Sequence, residues 1–265
     1  MNKLRVTVLQ TDLTYGDPQA NLSMIMGKLE VALQEKPDVI VWPEMWNTCY
    51  DLTRLNAIAD HEGAPSITAL QDFARKHGIN LVAGSIADLR GGQAYNTTYV
   101  INRSGERIAS YSKVHLIGLM DEDKFVSPGS ELNLFALDSV PCGSIICYDL
   151  RFPELIRSLA VKGAEVLFVP AQWPTIRLKH WRALLVARAI ENQMYVVSAN
   201  RVGKDPKNDF PGHSLVVDPW GEIIYEAGAE EEIFTLELDT ELVKQVRAKM
   251  PVFKDRVPSV HKLGC

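Results

Sequence analysis

No stretch of this chain approaches the ~20 consecutive apolar residues that a membrane-spanning helix requires. Basic charge is in deficit: 28 Lys and Arg stand against 33 Asp and Glu, for a formal net charge of -5. Nucleic acids and anionic membranes select the opposite balance, so neither is expected as a partner. Cysteine is sparse at four residues, too few for a disulfide framework. Cys142 and Cys147 are separated by four residues with no second pair, which fits no zinc spacing. No cofactor motif is present, so neither a metal nor an organic cofactor is expected. Low-complexity linkers, internal repeats and breaks in composition are also missing. One domain spanning residues 1–265 is therefore the economical expectation. Met1 to Val6 runs into strand-like sequence without the architecture of a signal peptide, and a reducing cytoplasm is the simplest expected setting.

What remains is an ordinary core-forming composition, 46% hydrophobic. Leu4 to Gln10 alternates as a half-buried strand does. Asp17-Pro18 reads as an N-cap and first helical residue, with the helix running to about Glu35 before Lys36-Pro37. Strands are expected at Val39–Trp42, Asn80–Ser85, Leu134–Leu137, Gly143–Cys147 and Ala164–Pro170. Further strands fall at Tyr195–Ala199, Ser214–Val217, Glu222–Tyr225 and Ile233–Leu238. Tyr95–Asn102 and Arg107–Tyr111 read as a hairpin around Arg103-Ser104-Gly105. Helices are expected at Ser66–His77, Glu154–Lys162, Lys179–Asn192 and Thr240–Lys249, with Lys179–Asn192 strongly amphipathic. Alternating helices and strands with hairpins imply an α/β protein with mixed sheets.

Three strand ends carry residues suited to chemistry. Cys147 closes an apolar run and is followed at once by charged residues and a helix. A thiol there meets backbone N–H donors and the helix dipole, both of which favour thiolate; equally, it is a small core hydrophobe. Glu44 follows Val41-Trp42-Pro43 and is flanked by Trp42 and Trp46. Partial burial would raise its proton affinity toward a base's useful range, whereas a solvated strand end would not. Lys113, in Ser110-Tyr111-Ser112-Lys113-Val114-His115-Leu116, is either a fixed charge for an oxyanion or a solvated lysine. His115 invites a Cys–His pairing, but its apolar context also suits a structural role. The Tyr148 backbone N–H, following the thiol in a turn, is a candidate second oxyanion donor, and Asp149 and Arg151 are candidates to fix that turn by pairing.

Together these segments resemble the carbon–nitrogen hydrolase (nitrilase) superfamily. The matching pieces are Trp42-Pro43-Glu44, Tyr111 to Leu116, Ser127-Pro128-Gly129 and Gly143 to Glu154. Ala187 to Gln193, Gly212-His213-Ser214 and Asp218-Pro219-Trp220-Gly221 match as well. The resemblance spans nearly the whole chain. It implies a four-layer α-β-β-α sandwich, a homodimer or higher homo-oligomer, and a Glu-Lys-Cys triad falling on Glu44, Lys113 and Cys147. It places a supporting glutamate at Glu122, within the acidic run Asp121-Glu122-Asp123.

Nitrile-cleaving members usually carry Trp-Glu after the cysteine, where this chain has Tyr148-Asp149. Ala171-Gln172-Trp173-Pro174, then Arg177 and His180-Trp181, is similar to bacterial ω-amidases acting on 2-oxoglutaramate. The resemblance thus implies hydrolysis of a short α-keto acid amide to the dicarboxylate and ammonia. The alternatives are deaminated glutathione, an N-carbamoyl amine or an aliphatic amide as substrate, or a non-catalytic binding protein on this fold. A keto acid amide carries a carboxylate that needs a cationic anchor; Arg177, Arg151 and Arg201 are the candidates, each with structural pairing as its alternative role. Trp173 is either a pocket wall limiting substrate length or a core aromatic.

Overall fold

The computed structural model describes residues 3–260. Two mixed sheets lie face to face, each covered on its outer side by helices. In the eight-stranded sheet, Glu232–Asp239 borders Lys3–Gln10, followed in order by Val39–Val41, Asn80–Val82, Gln93–Ile101, Ile86–Arg90 and Asp60–His61, with Arg107–Ser112 also on Gln93–Ile101. The six-stranded sheet runs Ile223–Glu226, Leu215–Val217, Tyr195–Asn200, Val166–Ala171, Val140–Ser144, Leu134–Leu137. Lys3–Gln10, Val39–Val41 and Asn80–Val82 pair in parallel in the first sheet, as do Tyr195–Asn200, Val166–Ala171 and Val140–Ser144 in the second, while the flanking strands pair antiparallel except the edge strand Asp60–His61, which is parallel to Ile86–Arg90.

Side-chain alternation builds the layers. Leu4, Val6, Val8, Val39 and Val41 point inward to meet Val166, Phe168, Val197 and Ala199 of the facing sheet. Their sequence neighbours Leu9, Ile40 and Trp42 point outward onto helices Pro18–Ala32 and Ser66–His77. Leu167, Val169 and Val196 do the same toward Pro153–Val161 and Leu178–Asn192. Burial on both faces explains the uninterrupted apolar runs of these strands. The result is an α-β-β-α sandwich.

Local chemistry sets the helix ends. Asp17 caps Pro18–Ala32 by accepting from the Ala20 N–H at 3.0 Å, with proline at the first helical position. Gly78, at φ +63°, stops Ser66–His77 in the left-handed conformation. Among the described residues no helix is long and apolar enough to cross a membrane.

Some expected elements differ. The strand expected to reach Cys147 stops at Ser144, because the chain turns at Ile145-Ile146 into a 3-10 helix over Cys147–Arg151. Strands Ile86–Arg90 and Asp60–His61 and the hairpin Val202–Lys204 with Asp209–Pro211 were not expected. Asp88, buried and bonded to Tyr99 Oη and the Gly63 N–H, breaks the apolar signature of Ile86–Arg90. Helix Leu178–Asn192 is less cleanly amphipathic than its sequence implies, since its inward face includes Arg188 and Asn192. Arg188 Nε donates to the Leu150 carbonyl at 3.0 Å, tying this helix to the turn that carries Cys147. Residues 262–265, expected to be a tail, lie outside the described residues.

Candidate active site

Two strand ends converge beneath the turn at Cys147. Glu44 follows Val39–Val41, Lys113 follows Arg107–Ser112, and both side chains are fully buried. Two glycines allow the close approach. Gly84, at φ +51°, lies where a Cβ would stand 2.2 Å from the Pro43 carbonyl oxygen. At Gly129 a Cβ would stand 2.1 Å from the Ser112 carbonyl oxygen, while the Gly129 N–H donates to the Lys113 carbonyl at 2.8 Å.

The Lys113 ammonium donates to Glu44 Oε1 at 2.9 Å, Glu122 Oε2 at 2.8 Å and Tyr50 Oη at 3.1 Å. Those bonds use the three N–H groups of a lysine. Glu44 Oε1 also accepts from Tyr50 Oη at 2.7 Å and Asn96 Nδ2 at 2.8 Å, whereas Oε2 accepts the Gln172 N–H at 2.9 Å. Glu122 Oε1 accepts from Asn96 Nδ2 at 3.0 Å, and Oε2 from the Ile117 N–H at 2.9 Å. Of the acids 121–123, Glu122 is the one turned into the cluster and buried.

One ammonium therefore serves two buried carboxylates, and their proton affinities part. Burial pushes Glu44 up, but the Lys113 charge and hydrogen bonds from Lys113, Tyr50 and the Cys147 thiol outweigh it and hold the carboxyl below its usual range. This reverses the expected upward shift: Glu44 is fully rather than partly buried, and it is paired with a cation. Burial raises Glu122, and the Glu44 charge adds to that against the pull of Lys113. For Lys113 burial opposes the charge, but Glu122 and Glu44 prevail and hold it protonated.

Cys147 sits at φ +46°, a strained conformation for a residue with a Cβ. The turn is fixed by the buried Asp149 carboxylate, which accepts the Ile146 N–H at 3.1 Å, the His115 N–H at 2.9 Å and Tyr111 Oη at 2.7 Å. His115 Nδ1 bonds the same carboxylate at 2.8 Å and its ring stacks on Phe152, so His115 is turned to Asp149. Burial and the Glu44 charge push the Cys147 thiol well above its usual range, with Lys113 only partly offsetting them. The resting group is a thiol, not the thiolate that a strand-end position and helix dipole imply.

A small pocket opens over the sulfur, lined by Cys147, Tyr148, Arg151, Gln172, Trp173 and Arg177. The Arg151 guanidinium lies 4.7 Å above the Trp173 ring and makes no pair with Asp149. Among the described residues neither Arg151 nor Arg177 has a carboxylate at ion-pair distance. Trp173 is both wall and core: it lines the pocket, packs on Trp181 at 5.3 Å and donates Nε1 to the Arg177 carbonyl at 2.8 Å. Arg201 is excluded as an anchor. It is buried, with Nη1 on Gln172 Oε1 at 3.0 Å and Nη2 on Asp12 and the Leu13 and Lys204 carbonyls.

Sequence reasoning missed Tyr50, Asn96 and Gln172. Tyr50 lies six residues beyond Glu44 in an irregular segment, and Asn96 is an inward polar residue within a strand. Neither type, alone, signals a site. Among the described residues no cluster of three His, Cys, Asp or Glu side chains is arranged to hold a metal ion.

A family model described as carbon-nitrogen hydrolase matches residues 5–248. The chain is 45% identical to a 2-oxoglutaramate amidase of Bacillus subtilis (strain 168), over 96% of this chain and 97% of the relative. The solved structure of Saccharomyces cerevisiae Nit3, a member of branch 10 of the nitrilase superfamily, matches with a TM-score of 0.87 at 32% identity, covering 95% of each chain. A variant of an amidase from Nesterenkonia sp. AN1, with the acetamide moiety of fluoroacetamide covalently added at its active-site cysteine, matches with a TM-score of 0.87 at 27% identity, covering 98% of this chain and 95% of that one.

Proposed function

Since this chain belongs to the carbon–nitrogen hydrolase family, we propose that it hydrolyses the terminal amide of a short α-keto acid amide, 2-oxoglutaramate or 2-oxosuccinamate, through a thioester on Cys147. The observation that carries the reading is the fully buried Glu44–Lys113 ion pair, 2.9 Å across, whose charges both act on the buried Cys147 thiol. That arrangement supplies a nucleophile, a base and an oxyanion charge in one water-poor site.

Glu44 Oε1 already accepts three hydrogen bonds, so Oε2 is the oxygen with room for the thiol proton. The proton moves to Oε2 as Sγ attacks the amide carbon. The oxyanion is held by a Lys113 N–H and the Tyr148 backbone N–H. Glu44 returns its proton to the nitrogen, the C–N bond breaks and ammonia leaves. Water then gives a proton to Glu44 and attacks the thioester carbon. The C–S bond breaks, the sulfur regains that proton, and the dicarboxylate is released.

Substrate choice rests on the pocket and on the 45% identical relative, which is a 2-oxoglutaramate amidase. Arg151 and Arg177 line the pocket with no carboxylate at ion-pair distance among the described residues, a charge suited to a substrate carboxylate, and Trp173 limits the substrate's length. In this reading two copies pair through the outer helices, where Val161 and Ile190 are exposed. The free thiols Cys49, Cys142 and Cys147 suit a reducing compartment, the cytoplasm.

The test is kcat/KM for 2-oxoglutaramate beside deaminated glutathione and a simple aliphatic amide, with ammonia as readout. 2-Oxoglutaramate is expected to lead; equal or reversed preference rejects the substrate assignment. Cys147→Ala is expected to abolish turnover of every amide tried.

A further inference from the structure

We propose that Tyr50 is the positioning residue that sets both the base and the oxyanion donor, without touching the amide. The hydrogen-bond directions leave one solution. Lys113 can only donate, so Tyr50 Oη accepts from it at 3.1 Å. The single phenol proton then goes to a carboxylate, and Glu44 Oε1 at 2.7 Å takes it over Glu122 Oε1 at 3.4 Å. Burial and the two carboxylates keep this phenol protonated, so the relay holds its direction across the working range.

Two consequences follow. The O–H bond to Glu44 stabilises the ionised carboxylate and so helps hold the base ready in a site with one cation for two acids. The phenol oxygen is also the weakest of the three acceptors on Lys113, being neutral where the others are carboxylates. It is the acceptor that gives up its N–H when an oxyanion forms, leaving both ion pairs in place. Tyr50 therefore parks the oxyanion donor in the resting site. Asn96 braces the same pair: its amide donates to both carboxylates while its oxygen accepts from Ser85 Oγ at 2.6 Å, which fixes the amide's orientation.

This rests on the proposed roles of Glu44 and Lys113 but not on the identity of the substrate. The experiment is Tyr50→Phe, read by the pH profile of kcat/KM on whichever amide the enzyme turns over best. A second readout is the pH dependence of Cys147 alkylation by iodoacetamide, which needs no turnover. Removing the donor is expected to move the acid limb up by about half to one pH unit, with kcat down about tenfold and KM within about twofold. A fluorinated tyrosine at position 50, a stronger donor of the same shape, is expected to move the limb down, and it decides the matter if Tyr50→Phe fails to fold. Unmoved acid limbs in a folded variant overturn the proposal, even if kcat falls. If instead no amide is hydrolysed, alkylation still reads the Cys147–Glu44 pair, which separates failure of this proposal from failure of the amidase reading.

Discussion

At the residue scale, the site is a charge problem solved by shared hydrogen bonds. Lys113 is the cation for two buried carboxylates, so Lys113→Ala removes the proposed oxyanion donor and leaves Glu44 and Glu122 without their ion-pair partner. A kcat loss of about 10²- to 10³-fold is expected, with a stability loss of about 3–5 kcal/mol from the stranded charges. Steady-state kinetics and urea denaturation measure the two. His115→Ala is expected to be far milder in kcat, because His115 braces Asp149 rather than Cys147. Equal damage from the two variants would favour a Cys–His mechanism. The pH dependence follows from the directions of the shifts. Glu44 is held below its usual value, so it stays a base as pH falls to the ordinary carboxylate range of about 4.3. The Cys147 thiol is held well above its usual value, so no step in alkylation rate is expected near the free-thiol pKa of about 8.5. A sigmoid centred there would mean that an ordinary exposed thiol is reacting.

At the scale of elements, strands deliver the chemistry and glycines set their approach. The apolar run ending at Trp42-Pro43-Glu44 marks one candidate site residue in the sequence, because a buried strand must stop where its last side chain changes character, whereas Lys113 follows the half-exposed strand Arg107–Ser112 and stood out through its motif. The proposed nucleophile, Cys147, was legible by residue but not by conformation. Its strand stops at Ser144, and the left-handed turn at Cys147 depends on Asp149 meeting Tyr111 and His115 from another segment. Tyr50, Asn96 and Gln172 were illegible because their roles exist only across the fold; Gln172 reaches Glu44 over 128 residues. Gly84 and Gly129 are the element-level test. Gly84→Ala puts a methyl against the Pro43 carbonyl and Gly129→Ala puts one against Ser112, each backing directly onto a site residue. Each is expected to cost about 1–3 kcal/mol of stability and to lower kcat in the folded fraction. Wild-type melting and kcat in both would remove the glycines from the positioning argument.

At the scale of the whole molecule, two sheets buried on both faces enclose polar groups that titrate far from their usual values. Cys49 is pushed up to about 12, mainly by burial, and Cys147 and Cys142 are raised in the same way. A group with a raised folded pKa contributes stability that is fully present below its unfolded value. That stability is lost as pH rises through the folded value. The unfolded thiols ionise near pH 8.5 or so, while Cys49 in the fold does not until about 12. The urea midpoint is therefore expected to fall steadily across that window. A midpoint that holds or rises there would contradict the burial of these thiols. The four-layer order was legible through the family resemblance and not through alternation, since Val39, Ile40 and Val41 are all apolar although Val39 and Val41 face one way and Ile40 the other. The strand order was not, because it depends on long-range pairings such as Lys3–Gln10 with Glu232–Asp239 that no local pattern encodes.

The most direct measurement is the peptide mass spectrum of enzyme quenched in acid during turnover of 2-oxoglutaramate. The thioester mechanism predicts that the peptide containing Cys147 carries the acyl half of the substrate without its ammonia. It also predicts that the adduct disappears on treatment with hydroxylamine. An unmodified Cys147 peptide with the acyl mass on another residue, or turnover that persists in Cys147→Ala, would contradict it.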